Sequence, residues 1–170
     1  DQAKLYRKNL EKVESKIGPL HYFAKTYTMM RWVYDVAINK TMLNFVEDII
    51  GKNILLYNAT FIIKEPKSKT HVSWHQDLTY WGFSNNEKQV SAWIALSDTN
   101  DHSGCMKMIP GSHKKGIFEH QSTNDSNNVL SRGQTVTNVD KHKSISCPLN
   151  PGEASFHHGL TLHASQPNNS

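Results

Sequence analysis

The chain has 170 residues, a length that holds one domain and not two of ordinary size. Hydrophobic residues make up 37% and charged residues 20%, with mean hydropathy −0.59, a globular composition that excludes disordered and fibrous classes. No apolar run approaches the roughly 18–20 residues of a membrane-spanning helix, and the formal charge of +4 is dispersed, so neither membrane nor nucleic acid is an expected partner.

Residues 1–50 read as a helical layer. Leu5, Leu10, Val13 and Ile17 recur at helical spacing until Gly18-Pro19. A second helix is predicted from Thr41 to Ile50, with Asn39 or Thr41 as N-cap and Gly51 past its end. The chain opens on Asp1 rather than Met, so its true start is expected upstream.

From residue 53 the period shortens to two. "NILLYNATFIIK" at 53–64 is predicted as a strand, "THVSWHQD" at 70–77 as a second, and Asn85-Asn86 as a turn. "VSAWIAL" alternates cleanly, "GCMKMIP" is another short strand closed by Pro110-Gly111, and "GEASFHHGLTLHAS" returns to strand. Residues 114–146 read as loop, either a lid or a surface insertion. Short strands with turns between them predict an all-β sandwich or barrel behind the helical layer, in a single domain over 1–170.

Ten histidines stand out, because imidazole is the commonest metal ligand. In His75-Gln76-Asp77 an extended backbone would turn His75 and Asp77 to one face and Gln76 away. A third ligand is expected at His163. Alternation places Leu160, Leu162 and Ala164 on the core face and Thr161, His163 and Ser165 on the polar one, while Gly159 breaks the parity that would recommend His157. Two imidazoles and one carboxylate form the facial triad of non-haem Fe(II) oxygenases, with open positions left for other ligands. A zinc hydrolase could use the same donors. Cys105 and Cys147 stand outside any CxxC pair and read as thiols of a reducing compartment, hence a cytoplasmic location.

"WHQDLTYWGF" at 74–83, "VSAWIALSDTNDHSGCMKMIPGSHKKG" at 90–116 and "PGEASFHHGLTLHASQPNNS" at 151–170 resemble the phytanoyl-CoA dioxygenase family of Fe(II)/2-oxoglutarate-dependent oxygenases. The resemblance runs from about Gly51 to Ser170 and implies a mainly β, double-stranded β-helix (jelly-roll, cupin-like) core over 51–170, with the helices packed outside the sheet. It implies Fe(II) held by His75, Asp77 and His163, which are the catalytic residues on this reading. It implies 2-oxoglutarate and O2 as co-substrates, with Ser165 and Trp93 lining the 2-oxoglutarate site and Asn58 or Thr60 contributing. The implied reaction hydroxylates a C–H bond of a small molecule and releases succinate and CO2.

The family places an arginine about ten residues past the late histidine, where its planar fork pairs with the far carboxylate of 2-oxoglutarate. Here Ser170 stands seven residues past His163, and Arg7, Arg31 and Arg132 all lie upstream, so the chain is expected to continue beyond Ser170. Without that arginine, an inactive metal-binding jelly roll becomes the rival. A halogenase relative would lack the carboxylate that Asp77 supplies. Trp74, Tyr80, Trp81 and Phe83 are candidates for an aromatic substrate pocket, and a polar or zwitterionic substrate is expected because no basic cluster accompanies them to bind CoA phosphates. His113, in Pro110-Gly111-Ser112-His113, reads as part of a turn rather than a ligand.

Overall fold

The computed structural model describes residues 2–21, 23–83, 88–130 and 133–170. The turn expected at Asn85-Asn86 lies outside them. Helix α1 (Gln2–Ile17) buries Ala3 and Leu10 and ends at Gly18, whose φ of 87° suits a residue without a Cβ. Helix α2 spans Arg31–Ala37 and α3 spans Lys40–Ile50. Asn39 caps α3 as expected, its side chain accepting from the N–H groups of Thr41 (3.0 Å) and Met42 (3.3 Å). Tyr6, Trp32 and Phe61 stack in series, with centroids 5.2 and 5.7 Å apart, and tie α1 and α2 to the segment that follows.

That segment departs from expectation. Residues 53–64 run without strand pairing, and Leu55 is 84% exposed. Period-two alternation reports which side chains could be buried; a strand also needs a partner backbone. The main anchor here is the Ala59 carbonyl, which accepts from both the N–H (3.0 Å) and the hydroxyl (2.9 Å) of buried Thr26.

The strands are β1 (Val72–His75), β2 (Ser91–Ile94), β3 (Met106–Met108), β4 (Gln121–Ser122), β5 (Gln134–Thr135), β6 (Ile145–Cys147), β7 (Ala154–His157) and β8 (His163–Ser165). Four form an antiparallel sheet in the order β1-β8-β3-β6, β2 pairs with β7, and β4 pairs with β5 as a separate ribbon. The first two sheets approach one another where the rings of His157 and His163 come within 4.6 Å, giving the jelly-roll core. On the outside of β7, Phe156 packs against Phe45 of α3, which places that helix outside the sheet as expected.

Residues 114–146 are not featureless loop: they carry β4 and β5 and run into β6, which joins the main sheet. Phe118, Val136 and Val139 pack with Trp74, Leu162 and Ala164 on the face opposite His163, since Leu162 and Ala164 flank that residue in sequence.

Gly104 marks the tightest approach of the backbone. Its φ is +73°, and a Cβ there would stand 2.2 Å from the Gln166 carbonyl oxygen and 2.6 Å from that of Pro167. Beside it the Lys64 ammonium donates to the carbonyls of Gly104 and Gln166, and burial lowers its pKa to about 8. Gly104→Ala is therefore expected to cost about 2 kcal/mol or more, combining left-handed strain with a backbone clash. Urea denaturation measures it; a loss below about 0.5 kcal/mol, the range of a neutral surface change, would mean that this packing is wrong.

Candidate metal centre

His75 is the last residue of β1, and its Cα faces that of His163, the first residue of β8. Three residues of β1 span what two span on β8, so a bulge lies just before the site. Asp77 does not continue the strand. It has φ −56° and ψ −38° and opens the short helix α4 (Leu78–Trp81), so a strand-to-helix turn brings it beside His75, not extended alternation. Gln76 does turn away, and it is fully buried.

The Nε2 atoms of His75 and His163 lie 3.3 and 3.6 Å from Asp77 Oδ1. One ligand atom from each of the three residues falls within 4.8 Å of the others. The tautomers follow from the hydrogen bonds on the far side of each ring. Each Nδ1 donates to the carbonyl two residues upstream, His75 to Ser73 and His163 to Thr161, both at 2.8 Å. Each Nε2 is thereby left with its lone pair aimed at the carboxylate. Three electron pairs converging in a mostly buried place repel one another unless a cation lies between them, so this donor set fits a metal ion.

The electrostatics agree. Burial pushes the pKa of Asp77 up, but His163, His157 and His75 outweigh it, and the carboxyl is held well below its usual range. Burial, reinforced by His75, lowers His163 to about 3, so its imidazole is neutral and free to ligate at physiological pH.

The facing sheet supplies residues that sequence reasoning did not assign. Ser91 and His157 are directly opposite on β2 and β7, and both reach Asp77 Oδ2: the Ser91 hydroxyl donates to it at 2.7 Å and His157 Nε2 lies 3.3 Å away. Trp93 and Ser155 are the next opposite pair on the same face, so Trp93 shares the inner surface. Ser165 is buried, and neither its hydroxyl nor that of Ser155 has a hydrogen-bond partner among the described residues. Each such orphan costs about 1–3 kcal/mol unless a ligand or water takes it.

The other expected residues divide between scaffold and the surroundings of the trio. Trp74 packs in the cluster beneath the sheet, because it precedes His75 and points to the opposite face; it is core, not pocket wall. Asn58 Oδ1 accepts from the Lys25 N–H and Thr60 donates to the Phe23 carbonyl, so both hold the N-terminal segment in place. Tyr80 presents its ring edge-on to His75, with centroids 6.0 Å apart. Trp81 and Phe83 form an aromatic group with Tyr57, which alternation in an unpaired segment did not reveal. His158 accepts the Leu160 N–H through Nδ1 and lies against His113, so both serve the turn before β8. Arg7 and Arg31 are taken up in exposed pairs with Glu11 and Asp35, and Arg132 is outside the described residues.

Residues 3–170 match the family model described as phytanoyl-CoA dioxygenase (PhyH). The chain belongs to the phytanoyl-CoA dioxygenase family. Among curated members it is 29% identical over 134 residues to a probable alpha-ketoglutarate-dependent hypophosphite dioxygenase of Stutzerimonas stutzeri, covering 78% of this chain and 46% of that one. It is 28% identical over 131 residues to peroxisomal phytanoyl-CoA dioxygenase of Homo sapiens, covering 75% and 39%. Among solved structures, the non-heme monooxygenase ThoJ in its apo form superposes with a TM-score of 0.83 at 25% identity, covering 99% of this chain and 63% of that one. The chain thus spans less than half the length of these two curated family members.

Proposed function

We propose that the protein is an Fe(II)- and 2-oxoglutarate-dependent dioxygenase that hydroxylates a C–H bond of a small molecule. The observation that carries this reading is the convergence of the His75 and His163 lone pairs on one oxygen of Asp77, in a member of this family. When bound there, iron supplies the activation of O2 that couples decarboxylation of 2-oxoglutarate to substrate oxidation. His75, Asp77 and His163 hold it. Ser165, with its unpartnered buried hydroxyl, and Trp93, on the facing sheet, are the chain's candidates for orienting 2-oxoglutarate.

Tyr80, Trp81 and Phe83, joined by Tyr57, form the wall on the α4 side and serve as the substrate-facing surface. Among the described residues these rings come without a basic cluster, which favours a polar or zwitterionic substrate over an acyl-CoA. The two free cysteines favour a reducing, cytoplasmic compartment.

The test is succinate formation by the purified protein supplied with 2-oxoglutarate and O2. Turnover is expected to require Fe(II), to stop on addition of a chelator and to return when Fe(II) is restored. Metal binding with no succinate under any substrate panel would favour an inactive metal-binding module. Halide-dependent chlorinated product would favour the halogenase chemistry that Asp77 argues against.

A further inference from the structure

We infer that His157 is a positioning residue: with Ser91 it occupies one oxygen of Asp77, so that the other oxygen alone faces the metal position. The inference rests on the metal-site reading above and adds a division of labour between the two sheets. The four-stranded sheet carries the two imidazole ligands, and the β2–β7 sheet carries the groups that hold the carboxylate.

The two oxygens of Asp77 have different neighbours. Oδ1 faces the Nε2 atoms of His75 and His163, whose protons are committed to backbone carbonyls on the other side of each ring. Oδ2 faces donors. The Ser91 hydroxyl donates to it at 2.7 Å, and His157 Nε2 lies 3.3 Å from it. The opposite edge of the His157 ring makes no demand on the proton, because Nδ1 has no hydrogen-bond partner among the described residues. The ring is therefore free to carry its proton on Nε2, facing the carboxylate. His157 Nε2 makes no hydrogen bond among the described residues, so it holds Oδ2 through a close polar contact at 3.3 Å, and Ser91 supplies the hydrogen bond.

A carboxylate with both oxygens free can chelate a metal through two atoms and fill one of the positions that a chelating co-substrate and O2 require. Donors on Oδ2 oppose that swing and keep three positions open. Burial adds to the effect. His157 is 7% exposed, so its contact with Asp77 is weakly screened by water.

The experiment is a Co(II) titration of the full-length protein, read by the visible absorption of the bound ion. It is run on wild type, His157→Gln, His157→Phe and Ser91→Ala, with thermal melting to confirm folding. His157→Phe is expected to weaken Co(II) binding about 10-fold or more and to shift the band as the carboxylate turns two-pronged. Ser91→Ala, which removes the hydrogen-bond donor, is expected to weaken binding by a similar factor. His157→Gln retains an N–H donor and is expected to stay within about 3-fold of wild type.

In an Asp77→Ala background, His157→Phe is expected to change the affinity by less than about 2-fold, because the histidine acts through the carboxylate. A loss that persists in that background would make His157 a ligand in its own right and overturn the positioning role. Unchanged affinity and spectrum in His157→Phe, with normal wild-type binding, would overturn it as well. A wild-type protein that binds no Co(II) would sink the metal-site reading itself, and this inference with it.

Discussion

Replacing Asp77 with alanine is expected to abolish turnover while the protein stays folded. The carboxylate is the only anionic member of the donor set, and two neutral imidazoles are a weak and incomplete site for a ferrous ion. Succinate formation should fall by about 1,000-fold or more, the scale on which directly stabilising charged groups act.

The fold should survive because the substitution removes a half-buried charge whose desolvation is itself unfavourable. Among the described side chains it takes a hydrogen-bond acceptor from Ser91 and a close polar contact from His157. A stability change within about 2 kcal/mol is expected. Parallel thermal melts and succinate assays separate the two effects. A folded Asp77→Ala protein with wild-type turnover would show that the carboxylate is not a ligand.

The metal trio was legible in the sequence because it depends on residue type and approximate placement. Strand alternation accounts for only half of it. His163 was assigned by strand alternation, and β8 does begin there. Asp77 was placed by the same rule, yet it reaches His75 through a turn into α4. Helices α1 and α3 were read from periodicity and capping, both of which are local signals. The stretch 53–64 and strand β6 depart from the sequence pattern in opposite senses, since strand formation depends on a partner distant in the chain. The place of Ser91 and His157 beside Asp77 is invisible for the same reason: they meet it only because two sheets face each other.

Within the motif blocks that carry the resemblance, several residues beyond His75, Asp77, Ser91 and His163 are scaffold around the metal position. Asn100 accepts from the N–H groups of His102 and Ser103 to shape the turn before Gly104. Ser112 is 2% exposed, donates to the Ile109 carbonyl (2.7 Å) and accepts the Leu162 N–H (2.9 Å), thereby anchoring the residue next to His163. Asn168 donates to the Lys64 carbonyl at 2.9 Å. Much of a sequence block can therefore mark a site through residues whose own polar atoms do not touch the reacting groups.

Gln76 carries this argument furthest, and its replacement by leucine should give the largest loss of stability short of a backbone clash. Its side chain is fully enclosed, donating from Nε2 to the carbonyls of Leu160 (2.7 Å) and Gly116 (2.9 Å) and accepting the Phe118 N–H at 2.8 Å. Leucine matches its volume closely but leaves those three backbone groups unpaired. At about 1–3 kcal/mol for each unsatisfied buried group, partly relieved by local relaxation, a total loss of about 3–5 kcal/mol is expected.

The loss should reach the metal position too. Gln76 lies between His75 and Asp77 and bonds to Leu160, three residues before His163, so it ties together the two segments that carry the ligands. Urea denaturation should show a lowered midpoint with an unchanged slope. Co(II) affinity should fall about 10-fold even where the variant remains folded, as happens when supporting groups around a metal site are removed. A loss of stability with wild-type Co(II) affinity would mean that the ligand segments keep their positions without this bridge. A stability change below about 1 kcal/mol would mean that Gln76 does not satisfy the three backbone groups.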